Sequence, residues 1–414
     1  MDSRACPVCG SDRGGAAVAD VRMRAPDGHP LGDGYSVVSC YECGTGFADA
    51  VVAPEYYERY YETLAKYANE VAVYSPGSGG TTPAASADEP AWLAAKTESS
   101  ASRIASVVGS RDARVLDVGC STGLILGALA RRGYRNLQGI DPSPDSVRIA
   151  NLRPGVRARL GTFSNLPDDL GEFDCICATG VLEHLWDPAA AIRALCGRLA
   201  PGGAVYVEVP DASRYLDPYV APFEDFSTEH VNHLSFPGLR RLAARFGLET
   251  VAETSYVAPL TPAVGTRCAA VAWRFTKAAG HAEARDDALE RVLVDFAARS
   301  RRDLAQVESA LEHSLGDRRD YAVWGIGEAA FKLLALEPLA SRHAVAYVDG
   351  SPSRRGFSFA GRQVVAPADL PEGDVPLVVA SFIRADSIAA AAESLGLANP
   401  IVRVDGAVGP PTAG

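Results

Sequence analysis

Ten residues in the second half of the chain, FSTEHVNHLS at 226–235, hold a high density of side chains that can accept or donate protons. Glu229, His230 and His233 are its titratable members, and a neutral imidazole suits acid–base work near pH 7. The same side chains could instead form a buried, hydrogen-bonded pair that closes a neighbouring site. A metal site is a further alternative, although adjacent Glu and His side chains rarely point at one ion. The elements around the stretch must decide between these alternatives.

A second chemical pattern consists of two CxxC pairs, Cys6/Cys9 and Cys40/Cys43, each followed by glycine. Two thiolates on one tight turn form a zinc knuckle, and two knuckles make a tetrahedral site of four sulfurs. Thiolates then fill all four ligand positions, so none is left for a catalytic water. We therefore predict a structural zinc ion held by these four cysteines in a domain of residues 1–53. The alternative is a small β domain with free thiols.

Strands and helices alternate through residues 96–280, which is typical of an α/β domain with a parallel sheet. Two helix starts are clearly marked, because Ser143 and Asp187 are each followed by proline. Residues 213–247 interrupt the alternation, and the proton-handling stretch lies inside this insertion. The predicted strands are 114–119, 136–141, 156–161, 173–180 and 204–210, followed by an antiparallel pair near 248–257 and 267–275.

The sequence VLDVGCSTG, residues 115–123, predicts a tight turn from a buried strand into a helix. Its glycines would let a ligand lie directly against the backbone. Asp141 ends the next strand, where a carboxylate can accept both hydroxyls of a ribose. The motif does not fit GxGxxG, so a dinucleotide is the weaker alternative here. Ser121 stands where such a turn often has glycine, and we expect it to avoid a positive φ.

These motifs resemble those of class I S-adenosylmethionine-dependent methyltransferases. The resemblance rests on DVGCSTG at 117–123, Asp141, VLEHLWDP at 181–188 and LAPGGAVYVEVP at 199–210. It implies a central Rossmann-like domain with S-adenosylmethionine as the cofactor. The residues implied in cofactor binding are Asp117, Gly119, Cys120, Gly123, Asp141, Thr162, Phe163 and Thr179.

The whole chain is similar to the zinc-containing nucleotide-sugar C-methyltransferases, which join a zinc domain, a methyltransferase core and a smaller Rossmann-like domain. These enzymes methylate a ring carbon of a keto-deoxyhexose attached to a thymidine diphosphate. The resemblance implies that His230 is the catalytic base and that Glu229 orients it or holds a substrate hydroxyl. It also implies that His184 polarises the keto or enolate oxygen, although His184 could equally be a hydrogen-bonded core histidine.

Three functions follow from these patterns. The first is C-methylation of a nucleotide-linked keto-deoxysugar through an enolate, in natural-product or polysaccharide biosynthesis. The second is O- or N-methylation of a sugar or another intermediate, because Ser227 and Thr228 replace the Tyr and His usual before the Glu-His pair. The third is a cofactor-binding scaffold without transfer activity, against which the intact glycine turn and the histidine-rich insertion argue.

Two segments are predicted to connect the domains. Residues 54–95 contain a tyrosine-rich helical part, 54–74, and a Gly/Ser/Pro/Ala-rich linker or flap, 75–90. Residues 281–318 predict a long amphipathic linker helix. The apolar face of that helix comprises Leu289, Val292, Leu293, Phe296, Leu304, Val307 and Leu311.

Residues 319–408 restart the β/α pattern and predict a smaller C-terminal Rossmann-like domain. The sequence GIGEAA from Gly325 fits GxGxxA, and Asp349 ends the next strand. This domain could be a scaffold, contact the nucleotide diphosphate of a substrate, or bind a dinucleotide. Arg354 and Arg355 could face phosphates, but the favoured expectation is a solvated surface pair.

The composition narrows the class of protein further. A chain of 414 residues suits two or three domains, and a net charge of −11 argues against a nucleic-acid binder. The N-terminus lacks the apolar core of a signal peptide, and no stretch approaches 18 apolar residues. Nine cysteines, an odd number, suit a reducing cytoplasm. We expect a cytoplasmic enzyme, a monomer or weak dimer, that acts on a small molecule such as a nucleotide-diphosphate sugar.

Overall fold

The computed structural model describes most of the chain, and the described residues form three β-sheets. Nearly all of the predicted linker at 75–90 and the second part of the predicted tyrosine-rich helix, 64–74, lie outside the described residues. No helix in the described part of the chain is both long and apolar enough to cross a bilayer. The described residues are 4–50, 52–63, 90–259, 264–276, 283–371 and 373–408.

The strands and helices follow the chain in this order. The strands are β1 (Gly15–Arg22), β2 (Gly34–Cys40), β3 (Gly46–Asp49), β4 (Arg114–Val118), β5 (Asn136–Asp141), β6 (Val156–Leu160), β7 (Phe173–Thr179), β8 (Leu199–Pro210), β9 (Asn232–His233), β10 (Leu248–Pro259), β11 (Gly265–Phe275), β12 (Asp320–Trp324), β13 (His343–Val348), β14 (Ser358–Phe359), β15 (Arg362–Val365), β16 (Leu377–Val379) and β17 (Ile401–Arg403). The helices are α1 (Pro54–Thr63), α2 (Ala91–Val108), α3 (Leu124–Arg131), α4 (Pro144–Ala150), α5 (Pro188–Cys196), α6 (Phe236–Ala244), α7 (Asp287–Leu315), α8 (Glu328–Leu333), α9 (Glu337–Ala340) and α10 (Ala385–Ser394).

The N-terminal sheet is antiparallel, in the order β1-β2-β3-β9. Its last strand does not come from the N-terminal segment but from the insertion at 213–247. Gly46 pairs with His233, and Phe47 pairs with Asn232. The histidine-rich stretch is therefore tied by backbone hydrogen bonds to the sheet that carries the cysteines.

The central sheet has seven strands in the order β10-β11-β8-β7-β4-β5-β6. Strands β4 to β8 are parallel, and β10 and β11 complete the sheet as the antiparallel pair that the sequence predicts. Both predicted helix caps are present, since Ser143 Oγ accepts from Ser146 N at 3.2 Å and Asp187 Oδ1 accepts from Ala190 N at 2.8 Å. Strand β8 begins before the predicted residue 204, because Pro201-Gly202-Gly203 continue the strand rather than form a loop.

The C-terminal sheet has six strands in the order β14-β15-β13-β12-β16-β17, parallel except for β14. Helix α7 does more than connect this domain to the rest. Its Leu293 and Phe296 lie in one buried cluster with residues of the N-terminal sheet, the insertion and the C-terminal domain. Burial of side chains of this size contributes about 1.5–3 kcal/mol each. Val292 and Leu304, predicted on the same face, are only half-buried.

Candidate active site

A cavity of about 430 Å³ opens at the C-terminal edge of the central sheet, where open α/β sheets bind their ligands. Strands β4, β5 and β7 end beside it. Five residues predicted to bind a cofactor line it: Gly119, Asp141, Thr162, Phe163 and Thr179. The other three, Asp117, Cys120 and Gly123, are buried and do not line the cavity.

The glycine turn after β4 forms one wall of the cavity. Gly119 has a φ of +77°, and a Cβ atom there would lie 2.7 Å from Val181 Cγ2, so only glycine fits. The expectation that Ser121 avoids a positive φ is wrong, because its φ is +47°. The physical reason lies in its backbone N–H, which donates to Asp141 Oδ2 at 2.8 Å and holds the turn.

Asp141 fixes the turn and also faces the cavity. Its Oδ1 accepts from Ser143 N at 2.9 Å, so each carboxylate oxygen holds one backbone N–H. Burial raises the pKa of Asp141, and the two backbone hydrogen bonds oppose that rise. Each oxygen keeps a lone pair, which leaves the carboxylate able to accept the ribose hydroxyls proposed from the sequence.

Asp117 lies behind the turn without a full set of partners. Its Oδ1 is buried and has no hydrogen-bond partner among the described residues. Burial, together with the nearby charges of Asp141 and Glu208, raises the pKa of Asp117 to about 8. A buried carboxylic acid of this kind would ionise readily beside a positive group. Asp117 would then add negative potential behind the turn, and Asp141 in the cavity wall suits a ligand that carries a ribose, as S-adenosylmethionine does.

Two histidines lie together beside the cavity. His184 lines it, and the ring of His230 lies edge-on to that of His184 with centroids 4.9 Å apart. His184 Nδ1 lies 3.0 Å from the backbone oxygen of Glu229, and its Nε2 lies 3.8 Å from Glu183 Oε1. His184 belongs to the short 3-10 helix Leu182–His184 that follows β7, whereas His230 comes from the insertion. The fold thus brings together two histidines that are 46 positions apart in the sequence.

Glu229 is buried and supports the site through both its backbone and its side chain. Its carbonyl faces His184, and its Oε1 accepts a hydrogen bond from Tyr60 of α1 at 2.6 Å. The carboxylate of Glu229 thereby holds the tyrosine-rich helix against the insertion. Its predicted role as a support for His230 stays a prediction.

The loop that carries His230 is fixed from three sides. Tyr57 of α1 donates to the carbonyl of Thr228 at 2.5 Å. Arg4 donates to the Trp186 carbonyl at 2.6 Å and to Asn232 Oδ1 at 2.9 Å, which joins the N-terminal domain to the site. Thr228 also donates through its N–H, at 3.1 Å, and through its hydroxyl to Glu328 of the C-terminal domain. All three domains therefore contribute to the geometry of the loop.

His233 has a different environment from His230. It is fully buried, its Nδ1 lies 3.2 Å from Tyr215 OH, and burial lowers its pKa to about 3. A metal site made by Glu229, His230 and His233 is not assembled in the described part of the chain. The two groups there that bring three or more possible ligand atoms within 4.8 Å of one another are Cys6/Cys9/Cys40/Cys43 and Glu183/His184/His230.

Several site residues were missed by sequence reasoning. Tyr57, Tyr61 and Trp186 form an aromatic wall of the cavity, and Lys96 lines it as well. The tyrosines of α1 could reach a polar ligand on sequence grounds, but packing of their rings on a neighbouring element is the favoured interpretation for most of them. Glu183 lies directly before His184 and could have been singled out as a second carboxylate.

Arg354 also departs from expectation. The prediction of a solvated surface pair holds for the exposed Arg355, but Arg354 is half-buried. Although burial works against its charge, the acidic groups of Tyr60 and Glu229 raise the pKa of Arg354. An arginine of the C-terminal domain is therefore electrostatically coupled to two residues near the site.

The four N-terminal cysteines converge. Cys6 Sγ lies 3.6 Å from Cys43 Sγ, and Cys9 Sγ lies 3.6 Å from Cys40 Sγ. The edge of a zinc tetrathiolate, with Zn–S bonds of about 2.3 Å, is about 3.8 Å, so the cluster fits zinc closely. Gly44 after the second pair has a φ of +79°, and a Cβ there would lie 2.5 Å from the carbonyl of Asp286. The knuckle therefore packs directly on the start of α7.

Comparison with known proteins agrees with this fold. Residues 90–253 match the family model described as a methyltransferase domain. A ubiquinone biosynthesis O-methyltransferase of Xanthomonas campestris pv. campestris is 37% identical over 110 residues, which are 25% of this chain and 46% of that protein. An uncharacterized 37.1 kDa protein in transposon TN4556 of Streptomyces fradiae is 31% identical over 201 residues, 44% of this chain and 58% of that protein. The chain spans about half the length of these relatives.

Solved structures that match part of the chain include several methyltransferases. Magnesium protoporphyrin IX methyltransferase from Synechocystis, with bound SAH, has a TM-score of 0.39 at 15% identity, over 53% of this chain and 99% of that one. The CcbJ methyltransferase from Streptomyces caelestis has a TM-score of 0.37 at 16% identity, over 46% and 100%. On the family match and the named relatives, residues 90–253 form a class I S-adenosylmethionine-dependent methyltransferase domain.

Proposed function

We propose that the protein transfers the methyl group of S-adenosylmethionine to a carbon beside a ketone, and that the acceptor is a nucleotide-linked keto-deoxysugar. The observation that carries this proposal is the pair His184 and His230, 4.9 Å apart beside the cavity. A carbon beside a ketone is weakly acidic, so its methylation needs a base and a group that stabilises the enolate oxygen. Two adjacent imidazoles in different surroundings can supply both.

In the proposed reaction, His230 removes the proton from the carbon beside the ketone. The electron pair of that C–H bond moves into an enolate, whose oxygen is held by His184. The enolate carbon then forms a bond to the methyl group as the bond between that methyl and the sulfonium sulfur breaks. The products are the C-methylated ketone, S-adenosylhomocysteine and a proton on His230, so charge and atoms balance.

The residues around the cavity support S-adenosylmethionine as the methyl donor. The glycine turn permits close approach of a ligand, Asp141 offers lone pairs for ribose hydroxyls, and Asp117 has an unpartnered buried oxygen. Thr162 and Phe163 line the same cavity, where the resemblance implies an adenine. Cys120 and Gly123 would act by shaping the turn rather than by touching the ligand.

The C-terminal domain would contribute to the acceptor rather than bind a second cofactor. Glu328 stands at the first position of α8, where a bound phosphate would have to lie, and its carboxylate would repel an anion there. Arg354, by contrast, lies near Tyr60 and Glu229 and is positive. We infer that Arg354 meets the diphosphate of the acceptor at the boundary between the two domains.

A second candidate is transfer to a hydroxyl or an amine. It is favoured by the 37% identity to a ubiquinone biosynthesis O-methyltransferase within the methyltransferase domain. In this case His230 would deprotonate the heteroatom, and no carbon acid would be formed.

Hydrogen exchange in heavy water separates the two candidates. The full-length protein is incubated with a thymidine-diphosphate keto-deoxysugar in D₂O, without S-adenosylmethionine, and the sugar is analysed by mass spectrometry and proton NMR. C-methylation predicts that the wild-type enzyme exchanges one C–H hydrogen beside the ketone for deuterium, so that its proton signal is lost. With His230→Ala this exchange should not occur. Methyl transfer to that sugar without any such exchange would contradict C-methylation and support the second candidate.

A further inference from the structure

The hydrogen positions on His184 are limited by what surrounds its ring. Its Nδ1 lies 3.0 Å from the backbone oxygen of Glu229. A carbonyl oxygen can only accept, so Nδ1 carries the hydrogen in this contact. In a neutral imidazole the other nitrogen, Nε2, then has a lone pair and no hydrogen. That atom lies 3.8 Å from Glu183 Oε1, which is also an acceptor when ionised.

The buried surroundings raise the energy of an arrangement in which two acceptor atoms, His184 Nε2 and Glu183 Oε1, face each other. Glu183 is 4% exposed and His184 is 7% exposed, so water screens the pair little. The second carboxylate oxygen, Oε2, is buried and has no hydrogen-bond partner among the described residues. A carboxylate in such a place either takes up a proton or gains a positive neighbour, and the imidazole of His184 lies beside Glu183. A proton on Nε2 of His184 turns the repulsion between the two groups into attraction, and at 3.8 Å from Glu183 Oε1 that N–H stays available to a ligand.

The second histidine limits how many protons the group holds. The ring of His230 is 4.9 Å from that of His184, and possible ligand atoms of Glu183, His184 and His230 all lie within 4.8 Å of one another. Two imidazolium ions at this distance would repel each other. If the pair holds only one extra proton, that proton goes to His184. Its Nδ1 already has an acceptor, and its Nε2 faces a carboxylate.

We propose that Glu183 is a positioning residue that keeps His184 as an imidazolium and thereby leaves the neighbouring His230 neutral. This inference rests on the proposed function for what the two histidines then do. His184 donates Nε2–H to the developing enolate oxygen, and the neutral His230 accepts the carbon-bound proton. This assignment follows a general rule: where different environments push the pKa values of two titratable groups apart, one group serves as the acid and the other as the base.

Other charged or titratable groups near this trio come from several elements. Burial raises the pKa of Glu183, and the charges of His184 and Lys96 oppose the rise. Tyr61 of α1 lies edge-on to His184 with centroids 5.9 Å apart. The remaining neighbours are Tyr215 of the insertion, Cys268 of β11 and Glu229, which is bonded to Tyr60. Lys96 is the cation that could compensate Glu183 in place of His184.

A divalent metal ion is the competing positive species. Two imidazoles and a carboxylate are a common ligand set for such ions. A metal would use the lone pair of Nε2 and would leave neither histidine as an acid or a base. The experiment must therefore separate a proton from a metal.

Nitrogen NMR of the imidazoles reads the protonation state directly. The full-length protein is labelled with ¹⁵N-histidine, the two rings are assigned with His184→Asn and His230→Asn, and spectra are taken at pH 7.5 without substrate. We expect shifts of an imidazolium for His184 and of a neutral ring for His230. In Glu183→Gln the His184 ring should become neutral, since an amide can donate to Nε2. A neutral His184 in the wild type, or a charged His184 in Glu183→Gln, overturns the proposal.

Two further arms complete the test. Glu183→Asp keeps the charge and should restore the imidazolium, and if Glu183→Gln does not fold, the wild-type spectrum alone decides, because a neutral His184 there overturns the proposal. The proposal is overturned in favour of a metal ion if mild chelation changes the histidine spectra and removes one equivalent of metal in addition to the zinc of the cysteine cluster. Turnover of Glu183→Gln should fall about 10²-fold, and more at pH 8 than at pH 6. The NMR result holds or fails without reference to the acceptor, so failure of the proposed function is distinguishable.

Discussion

The two Rossmann-like domains of this chain contain the same local arrangement. In the methyltransferase domain, Asp141 accepts the N–H groups of Ser121 and Ser143 at 2.8 and 2.9 Å. In the C-terminal domain, Asp349 accepts the N–H groups of Ile326 and Ser351, both at 2.7 Å. In each domain an acid at the end of the second strand ties down the turn that follows the first strand.

The two domains differ at the start of the next helix. In the methyltransferase domain the turn borders a cavity, and no charged side chain stands in its first helical turn. In the C-terminal domain Glu328 stands at that position and binds Thr228 of the histidine loop. One edge is left for a ligand, whereas the other holds a protein loop. The turn after the first strand and the acid after the second are thus common to both domains. The residue at the start of the following helix decides what binds at that turn.

The largest effect on this comparison should come from the proposed zinc site, because the sheet that carries its cysteines also holds the histidine loop through the pairing of β3 and β9. We expect about one zinc ion per chain, and Cys40→Ser should lose it and unfold the N-terminal sheet. The affinity for S-adenosylmethionine should stay within about two-fold, because neither turn is touched. The control is Cys196→Ser, which removes a thiol outside the cluster. Elemental analysis with less than about half an equivalent of zinc in the wild type would contradict the site.

The next effect separates the two histidines of the insertion. His230→Ala should lower turnover by about 10²–10⁴ without changing cofactor affinity, because it removes the proposed base. His233→Ala should be milder in turnover, since the ring is buried against Tyr215 and Phe226 away from the cavity. Steady-state kinetics and calorimetry on both variants decide the matter. Near-normal turnover of His230→Ala together with an inactive His184→Ala would exchange the two roles.

A paired substitution tests the two acids directly. Asp141→Ala should weaken S-adenosylmethionine binding by about 1.5–3 kcal/mol, because it removes a charge-assisted hydrogen bond to the ligand. Asp349→Ala removes the equivalent carboxylate and should leave that affinity unchanged while it lowers the stability of the C-terminal domain. Calorimetry and thermal unfolding measure the two results. If both variants lost the same affinity for S-adenosylmethionine, the assignment of the cofactor to the cavity beside Asp141 would be wrong.

A single substitution can test whether the C-terminal turn holds the histidine loop through Glu328. Glu328→Gln removes the charge that accepts two hydrogen bonds from Thr228, at an expected cost of about 1–2 kcal/mol in stability. Amide exchange should rise in the histidine loop and stay unchanged around Asp141. Glu337→Gln, an exposed change on the neighbouring helix, is the matched control. If Glu328→Gln created a nucleotide site without loosening the loop, the carboxylate would be a barrier to a ligand rather than an anchor.

Much of the fold could be predicted because its signals are local. Strand β5, Asn136–Asp141, has the predicted bounds, and the caps at Ser143 and Asp187 form as predicted. Alternating polarity and capping chemistry act over a few residues, so a single sequence carries them. The cysteine pairs could be read for the same reason.

The rest of the site depends on contacts between distant segments. The two-residue strand β9 has no pattern of its own and exists because β3 lies beside it. Glu183 meets His230 only after the insertion has folded back on the sheet, and Glu328 meets Thr228 only after the C-terminal domain has packed against that insertion. No periodicity links such positions, so the sequence could name His184 and His230 as candidates but could not show that Glu183 joins them.

The smallest effect concerns backbone strain, and one position in each Rossmann-like domain is chosen to test it. Ser121 in the glycine turn and Ala360 between β14 and β15 have φ values of +47° and +50°. A left-handed conformation costs a residue with a side chain about 1–2 kcal/mol, and glycine loses about 0.5–1 kcal/mol through its greater freedom when unfolded. Ser121→Gly and Ala360→Gly should therefore each stabilise the protein by about 0.5 kcal/mol in denaturant unfolding. Ser121 holds Asp141 through its backbone N–H, so cofactor affinity should change by less than about three-fold. Destabilisation by Ser121→Gly beside stabilisation by Ala360→Gly would mean that the serine hydroxyl, and not only its backbone, holds the turn.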